Sequence, residues 1–202
     1  MKRGRGFLNA AGTMVSGTVA GQLAVILSSP LLTRLFTPEE FGALGVYAAI
    51  LAFLVLVASL RYELAIPLTT TDGAAASLLV LCGVLAGGTA LLTTGAMAAG
   101  GSALMRVTNT EEVGAILWVL PLGVLFGGAY KALLYWALRR HAFGIIAATR
   151  FWQGVCLAGS QVAFGLAGWG SAGLILGHLL GSSAGLLGLA AFARTSTGHL
   201  RH

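Results

Sequence analysis

Long stretches without a single charged side chain constrain this chain more than any other feature. Nothing is charged between Arg5 and Arg34, from Phe41 to Leu60, from Gly73 to Met105, from Val113 to Tyr130, or from Phe151 to Ala193. A helix needs roughly 20 apolar residues to cross the hydrocarbon core of a bilayer. Each of the first four runs suits one crossing. The last is too long for one, and Gly168-Trp169-Gly170-Ser171 offers a natural break into two. The pattern predicts an all-α integral membrane protein, a bundle of six transmembrane helices. They span about 9–33, 41–60, 74–99, 113–136, 144–167 and 172–193, in a single membrane domain over 1–202 with short tails at 1–8 and 194–202. Composition agrees. Hydrophobic residues make up 57% of the chain and charged residues 9%, against about 25% charged in a soluble domain.

Helix starts fall where this division needs them. Thr37-Pro38-Glu39-Glu40 reads as a capping box with proline in the first turn, just ahead of the second span. Asn109-Thr110-Glu111-Glu112 suits the start of the fourth, and Asp72 can cap the third. Carboxylates at such positions serve as N-caps in a wet loop. A role in carrying protons or cations stays open beside that one.

Lysine and arginine set the orientation. With the N-terminus in the cytoplasm, that side holds Lys2, Arg3, Arg5, Arg61, Lys131, Arg139, Arg140, Arg150, Arg194 and Arg201. The far side holds only Arg34 and Arg106. The positive-inside rule therefore places both termini in the cytoplasm. The net charge of +6 reads as an orientation signal, because the charges are scattered over loops. They form no basic groove interleaved with aromatics, so no nucleic-acid partner is expected. Lys2, Arg3 and Arg5 precede an apolar stretch, as in a secretory leader. The stretch exceeds the roughly 7–15 residues of a leader core and no A-x-A site follows, so retention is expected. Cys82 and Cys156 fall inside spans as small apolar fillers. No metal-ligand spacing is present and no cofactor is expected.

Polar residues inside spans are costly in lipid and point to function. The fifth span carries Arg150, Gln153, Ser160 and Gln161 within about 100° of one another on a helix. That face lines a cavity, or Arg150 snorkels to the interface and the glutamines bond a neighbouring helix. In the sixth span Gly173, Gly177, Gly181 and Gly185 form a ridge that lets another helix approach closely. Shorter small-residue steps occur at Gly17/Gly21 and Gly83/Gly87. His178 sits beside the ridge, as a structural hydrogen bonder or a relay. Ser171 and His178 share a face but stand about 10.5 Å apart along the axis, too far for a nucleophile–base pair. No catalytic residues are assigned.

Several stretches resemble a known family. Leu32-Thr33-Arg34-Leu35-Phe36-Thr37-Pro38-Glu39-Glu40-Phe41-Gly42 is similar to the junction of the first two helices in polysaccharide-biosynthesis and O-antigen flippases of the MATE-like superfamily. Leu60-Arg61-Tyr62-Glu63-Leu64-Ala65-Ile66-Pro67-Leu68 resembles the segment after their second helix. Arg139-Arg140-His141-Ala142-Phe143, with Arg150 and Gln153, resembles their entry into the fifth, and Gly173 to Gly181 their sixth-helix style. The resemblance runs in order along essentially the whole chain.

It implies one lobe of a two-lobed transporter in the bacterial cytoplasmic (inner) membrane. Such proteins move undecaprenyl-diphosphate-linked oligosaccharide between leaflets by alternating access, in polysaccharide or lipopolysaccharide biosynthesis. A diphosphate suits a cavity lined by cations. The candidates are Arg34, Arg61, Lys131, Arg150, Gln153 and Gln161, with Arg150 and Arg34 first. Three of the cations have plain readings beside this one: Arg34 as an anchor at the outer interface, Arg61 in a local interface pair with Glu63, and Lys131 as a snorkelling side chain. Full-length members carry roughly twice as many helices, so the chain resembles their N-terminal half. A truncated product, an excised lobe and a half-transporter remain alternatives. A lone lobe would turn its polar face to lipid, so a second half or partner chain is expected, and the chain alone is expected not to flip lipid. The competing class is a non-transporting scaffold or assembly subunit of an export system, or an inactive remnant.

Overall fold

The computed structural model describes the backbone of residues 2–108 and 118–198 and the side chains of 12–99 and 118–195. Seven α-helices occupy the described residues: α1 Lys2–Leu35, α2 Pro38–Ala58, α3 Asp72–Thr108, α4 Leu120–Arg139, α5 Phe143–Leu166, α6 Gly170–Ser183 and α7 Leu186–Gly198. A short 3-10 helix, Tyr62–Leu68, joins α2 to α3. No strand occurs among them. Four segments are long and apolar enough to cross a membrane: Gly12–Leu35, Pro38–Ala58, Asp72–Ala99 and Gly170–Thr195. Their outer faces carry exposed Val15, Leu23 and Leu27 on α1 and Val80, Val84 and Leu91 on α3. Such surfaces suit lipid and would be unfavourable in water.

The helix count differs from the expected six, and the difference lies at one glycine and the neighbours it packs against. The sixth predicted span breaks at Ala184 and Gly185 into α6 and α7. Gly185 is a weak helix former, and a Cβ there would sit 2.9 Å from Thr149 Cβ and 3.0 Å from Tyr130 Cε2. The segment expected as a loop after Arg61 instead forms the 3-10 helix, which buries Glu63 and Ile66. The Asn109–Glu112 cap and the start of the fourth span lie outside the described residues.

The Thr37 capping box is formed. The Glu40 amide donates to Thr37 Oγ1 at 3.3 Å, and the Thr37 amide donates to Glu40 Oε2 at 2.7 Å. Thr37→Ala is expected to cost about 1 kcal/mol, read as an earlier thermal unfolding midpoint of the detergent-solubilised protein. At α3 the expected cap is displaced by one residue. Thr71 Oγ1 accepts from the Ala74 amide, while Asp72 pairs with Arg139 at 2.9 Å and Arg140 at 3.3 Å. Arg139 also donates to the carbonyls of Ile66 and Thr69 and to Thr69 Oγ1. This ties the end of α4 to the 3-10 helix and the start of α3.

Packing follows the small residues. α1 lies mainly against α5, α5 against α6, and α3 against α4. Gly17 and Gly21 of α1 face α5, where a Cβ on Gly17 would fall 2.5 Å from the Ala147 carbonyl oxygen. Gly154 of α5 meets the Gly21 backbone in return. The α6 ridge faces α5 throughout. Gly173 meets Phe164, Gly177 meets Gln161, and Gly181 meets Leu157, each closer than a Cβ would allow. Gly128 of α4 meets Ala86 of α3 in the same manner. The Gly83/Gly87 step has nothing near it and faces outward.

Candidate functional site

Helical periodicity gathers polar side chains around one cavity of about 550 Å³. Thr18, Gly21, Gln22 and Val25 of α1 face it at spacings of three, four and seven residues. Arg150, Gln153, Gly154 and Leu157 of α5 repeat that spacing, and His178, Gly181 and Ser182 of α6 supply a third wall. These intervals put residues on one face of a helix. From α4 come Tyr130, Lys131, Leu134 and Tyr135, and from the turn after α2 come Arg61 and Glu63.

That turn has a specific backbone cause. Leu60 and Arg61 both take the left-handed conformation, with φ of 46° and 60°. This is uncommon for residues with a Cβ. The reversal feeds the chain straight into the 3-10 helix and swings Glu63 inward to 4% exposure, while Arg61 stays exposed at the cavity edge.

The electrostatics are one-sided. Arg61, Lys131 and Arg150 line the cavity together with the single carboxylate of Glu63. The ion pairs among the described residues join Asp72 to Arg139 and Arg140, so none of the three cavity cations is neutralised by a carboxylate contact. The Arg150 guanidinium instead lies 5.5 Å from the centre of the Tyr130 ring, a cation–π arrangement that leaves its donors available. Gln153 is held by donating Nε2 to the Ser182 carbonyl at 3.1 Å. His178 packs edge-on to the Tyr47 ring, with centroids 5.9 Å apart.

Four of the six residues expected in a substrate cavity meet here: Arg61, Lys131, Arg150 and Gln153. Two lie elsewhere. Arg34 is exposed in the last turn of α1, about 13 Å along the axis from Val25, where α1 leaves the cavity. Gln161 is buried and donates Nε2 to the Leu174 carbonyl at 3.2 Å. The polar face of α5 is thus divided. Arg150 and Gln153 face the cavity, whereas Ser160 and Gln161 reach the α6 backbone, which the glycines bring within range. Tyr130, Tyr135 and Gln22 join the cavity without a sequence signal, and Glu63, which the sequence offers as a local interface partner of Arg61, makes no ion pair with it among the described residues and lines the cavity instead. For Glu63 the only signal is its place in the Arg61-Tyr62-Glu63 stretch, because its inward turn depends on the left-handed residues before it.

Such a cavity can hold an anion. Arginine offers a bidentate fork to phosphate oxygens, and lysine adds a point charge. Residues 31–198 match the family model described as "Polysaccharide biosynthesis protein". No curated protein and no solved structure gives a match.

Proposed function

This chain belongs to the polysaccharide biosynthesis protein family, and from that premise we propose that it translocates a lipid-linked oligosaccharide, with the diphosphate seated in the cationic cavity. The observation that carries this reading is the meeting of Arg61, Lys131 and Arg150, none of them in an ion pair, around one space of about 550 Å³. An undecaprenyl-diphosphate sugar supplies the charge these side chains lack. The chemistry is displacement of a bound group between leaflets and makes or breaks no covalent bond.

In this reading the lobe crosses the bacterial inner membrane six times, by α1 to α5 and by α6 with α7. Helices α4 and α5 have 20 and 24 residues, and roughly 20 suffice to cross. Their lower apolar content reflects Lys131, Gln153 and Gln161, set among neighbouring helices, and Arg150 at the cavity mouth. Arg61 and Arg139 then lie at the cytoplasmic end, as the distribution of basic residues requires. Thr18, Gln22 and Arg150 are exposed at the mouth of the cavity. Polar groups do not face lipid without cost, so a second lobe, from this protein or a partner, covers that side. This is the arrangement of a MATE-like transporter.

The test uses cells whose surface polysaccharide depends on the chain. A Lys131→Gln/Arg150→Gln variant should leave sugar assembly intact. The lipid-linked product should collect in the inner leaflet, measured by its protection from a glycan-modifying enzyme added to spheroplasts. Product exposed at wild-type levels would remove the transport reading and favour a scaffold.

A further inference from the structure

Among the described groups around the cavity, Glu63 stands alone as an acid, and we propose that its carboxylate is a tethered anion that competes with the incoming diphosphate for the cavity cations. The inference rests on the transport reading above and adds a residue that sets how tightly the substrate is held.

Three observations carry it. Glu63 is 4% exposed, and its Oε2 has no hydrogen-bond partner. A buried carboxylate without a partner is unfavourable unless charge of the opposite sign compensates it. Glu63 also lines the same space as Arg61, Lys131 and Arg150. The four charges border one space of about 550 Å³, and a buried or partly buried charge is screened less than one in open solvent. Finally, no described carboxylate lies in contact with any of those three cations, so Glu63 acts on them across the space without occupying a donor.

The elements around this space each bring a polar or charged group to it. The turn that holds Glu63 brings Arg61, α4 brings Lys131 and Tyr135, α5 brings Arg150, and α6 brings His178. In the empty cavity Glu63 offsets part of the positive field. When a diphosphate enters, its oxygens take the arginine and lysine donors and Glu63 repels it. Binding is therefore weaker than the cations alone would give, and release is faster. A transporter gains from this balance, since a substrate held too tightly is not let go.

The experiment measures binding of farnesyl diphosphate to the full chain in detergent, by calorimetry, for wild type, Glu63→Gln, Glu63→Asp and Lys131→Gln. Glu63→Gln removes the competing charge at nearly constant shape and should bind about tenfold tighter. Glu63→Asp keeps the charge and should stay near wild type. Lys131→Gln should bind more weakly than wild type. A single sharp size-exclusion peak for each variant shows that it folds. If Glu63→Gln does not, Glu63→Asn is compared with Glu63→Asp, which differ in charge at equal length, and the neutral variant should bind tighter. If wild type binds and Lys131→Gln weakens it, but Glu63→Gln binds no tighter, the competing role is overturned and the cavity reading survives. If no variant binds, or Lys131→Gln has no effect, the cavity reading itself fails and Glu63 with it.

Discussion

Gly154→Val is expected to prevent the helical bundle from forming. Gly154 sits where α5 crosses α1, and a side chain there would run into the backbone of Gly21. Backbone on both sides cannot rotate away as the end of a flexible side chain could. The two helices would have to part, taking the α1 wall of the cavity, Thr18 to Val25, with them. Overpacking of a tight contact costs typically 1–3 kcal/mol and occasionally more, and a β-branched residue against backbone belongs at the upper end, about 3 kcal/mol. The measurement is the amount of folded protein recovered from membranes, with its unfolding midpoint. Gly159 of the same helix is the control, because nothing lies within 4 Å of a Cβ there. Gly159→Ala should leave accumulation unchanged or raise it slightly, since alanine is a better helix former by about 1 kcal/mol in water. Equal loss from both substitutions would show that the glycines of α5 matter for helix flexibility and not for close approach.

Arg150→Glu should have the largest effect on function. Arg150 is a cavity cation whose guanidinium lies over the Tyr130 ring, with no described carboxylate at contact. A charge-assisted hydrogen bond contributes about 2 kcal/mol, so neutral Arg150→Gln should weaken diphosphate binding about 30-fold. Reversal adds repulsion from the new carboxylate and from Glu63, and about 300-fold is expected. Arg34→Glu is the contrasting variant. That side chain is exposed at the end of α1, away from the cavity, and should change binding by no more than about twofold. Binding of farnesyl diphosphate and polysaccharide export in cells read both effects.

What the sequence made legible follows from how strongly each feature is coded. Charge-free runs of membrane length are hard to mistake, and they located the four most apolar spans. The Thr37 capping box and the break at Gly168 to Gly170 are local signals, and both appear where the residues call for them. The α6 ridge is also local, because glycines every four residues must share a face. Less legible were features that depend on tertiary packing. The split of α6 from α7 rests on Gly185 meeting Thr149 and Tyr130, residues far away in sequence. The polar face of α5 looked continuous because 100° steps alone do not reveal which neighbour each residue meets. In fact Gln161 bonds the α6 backbone while Gln153 turns to the cavity. The inward turn of Glu63 is hidden for a similar reason. Its burial depends on two left-handed residues, Leu60 and Arg61, which neither glycine nor asparagine advertises. Arg34 attracted attention through its motif, yet the geometry sets it apart from the other cations.

The placement of the diphosphate is tested most directly by photo-crosslinking. A lipid-linked oligosaccharide analogue with a photoreactive group beside the diphosphate would be added to membranes containing the full chain, irradiated, and its adducts mapped by peptide sequencing. The cationic cavity predicts adducts on α4 around Tyr130 to Tyr135 and on α5 around Arg150 to Leu157. They should be competed by unlabelled diphosphate lipid and lost in Arg150→Glu. Adducts that concentrate near Arg34, or that persist undiminished in Arg150→Glu, would contradict it.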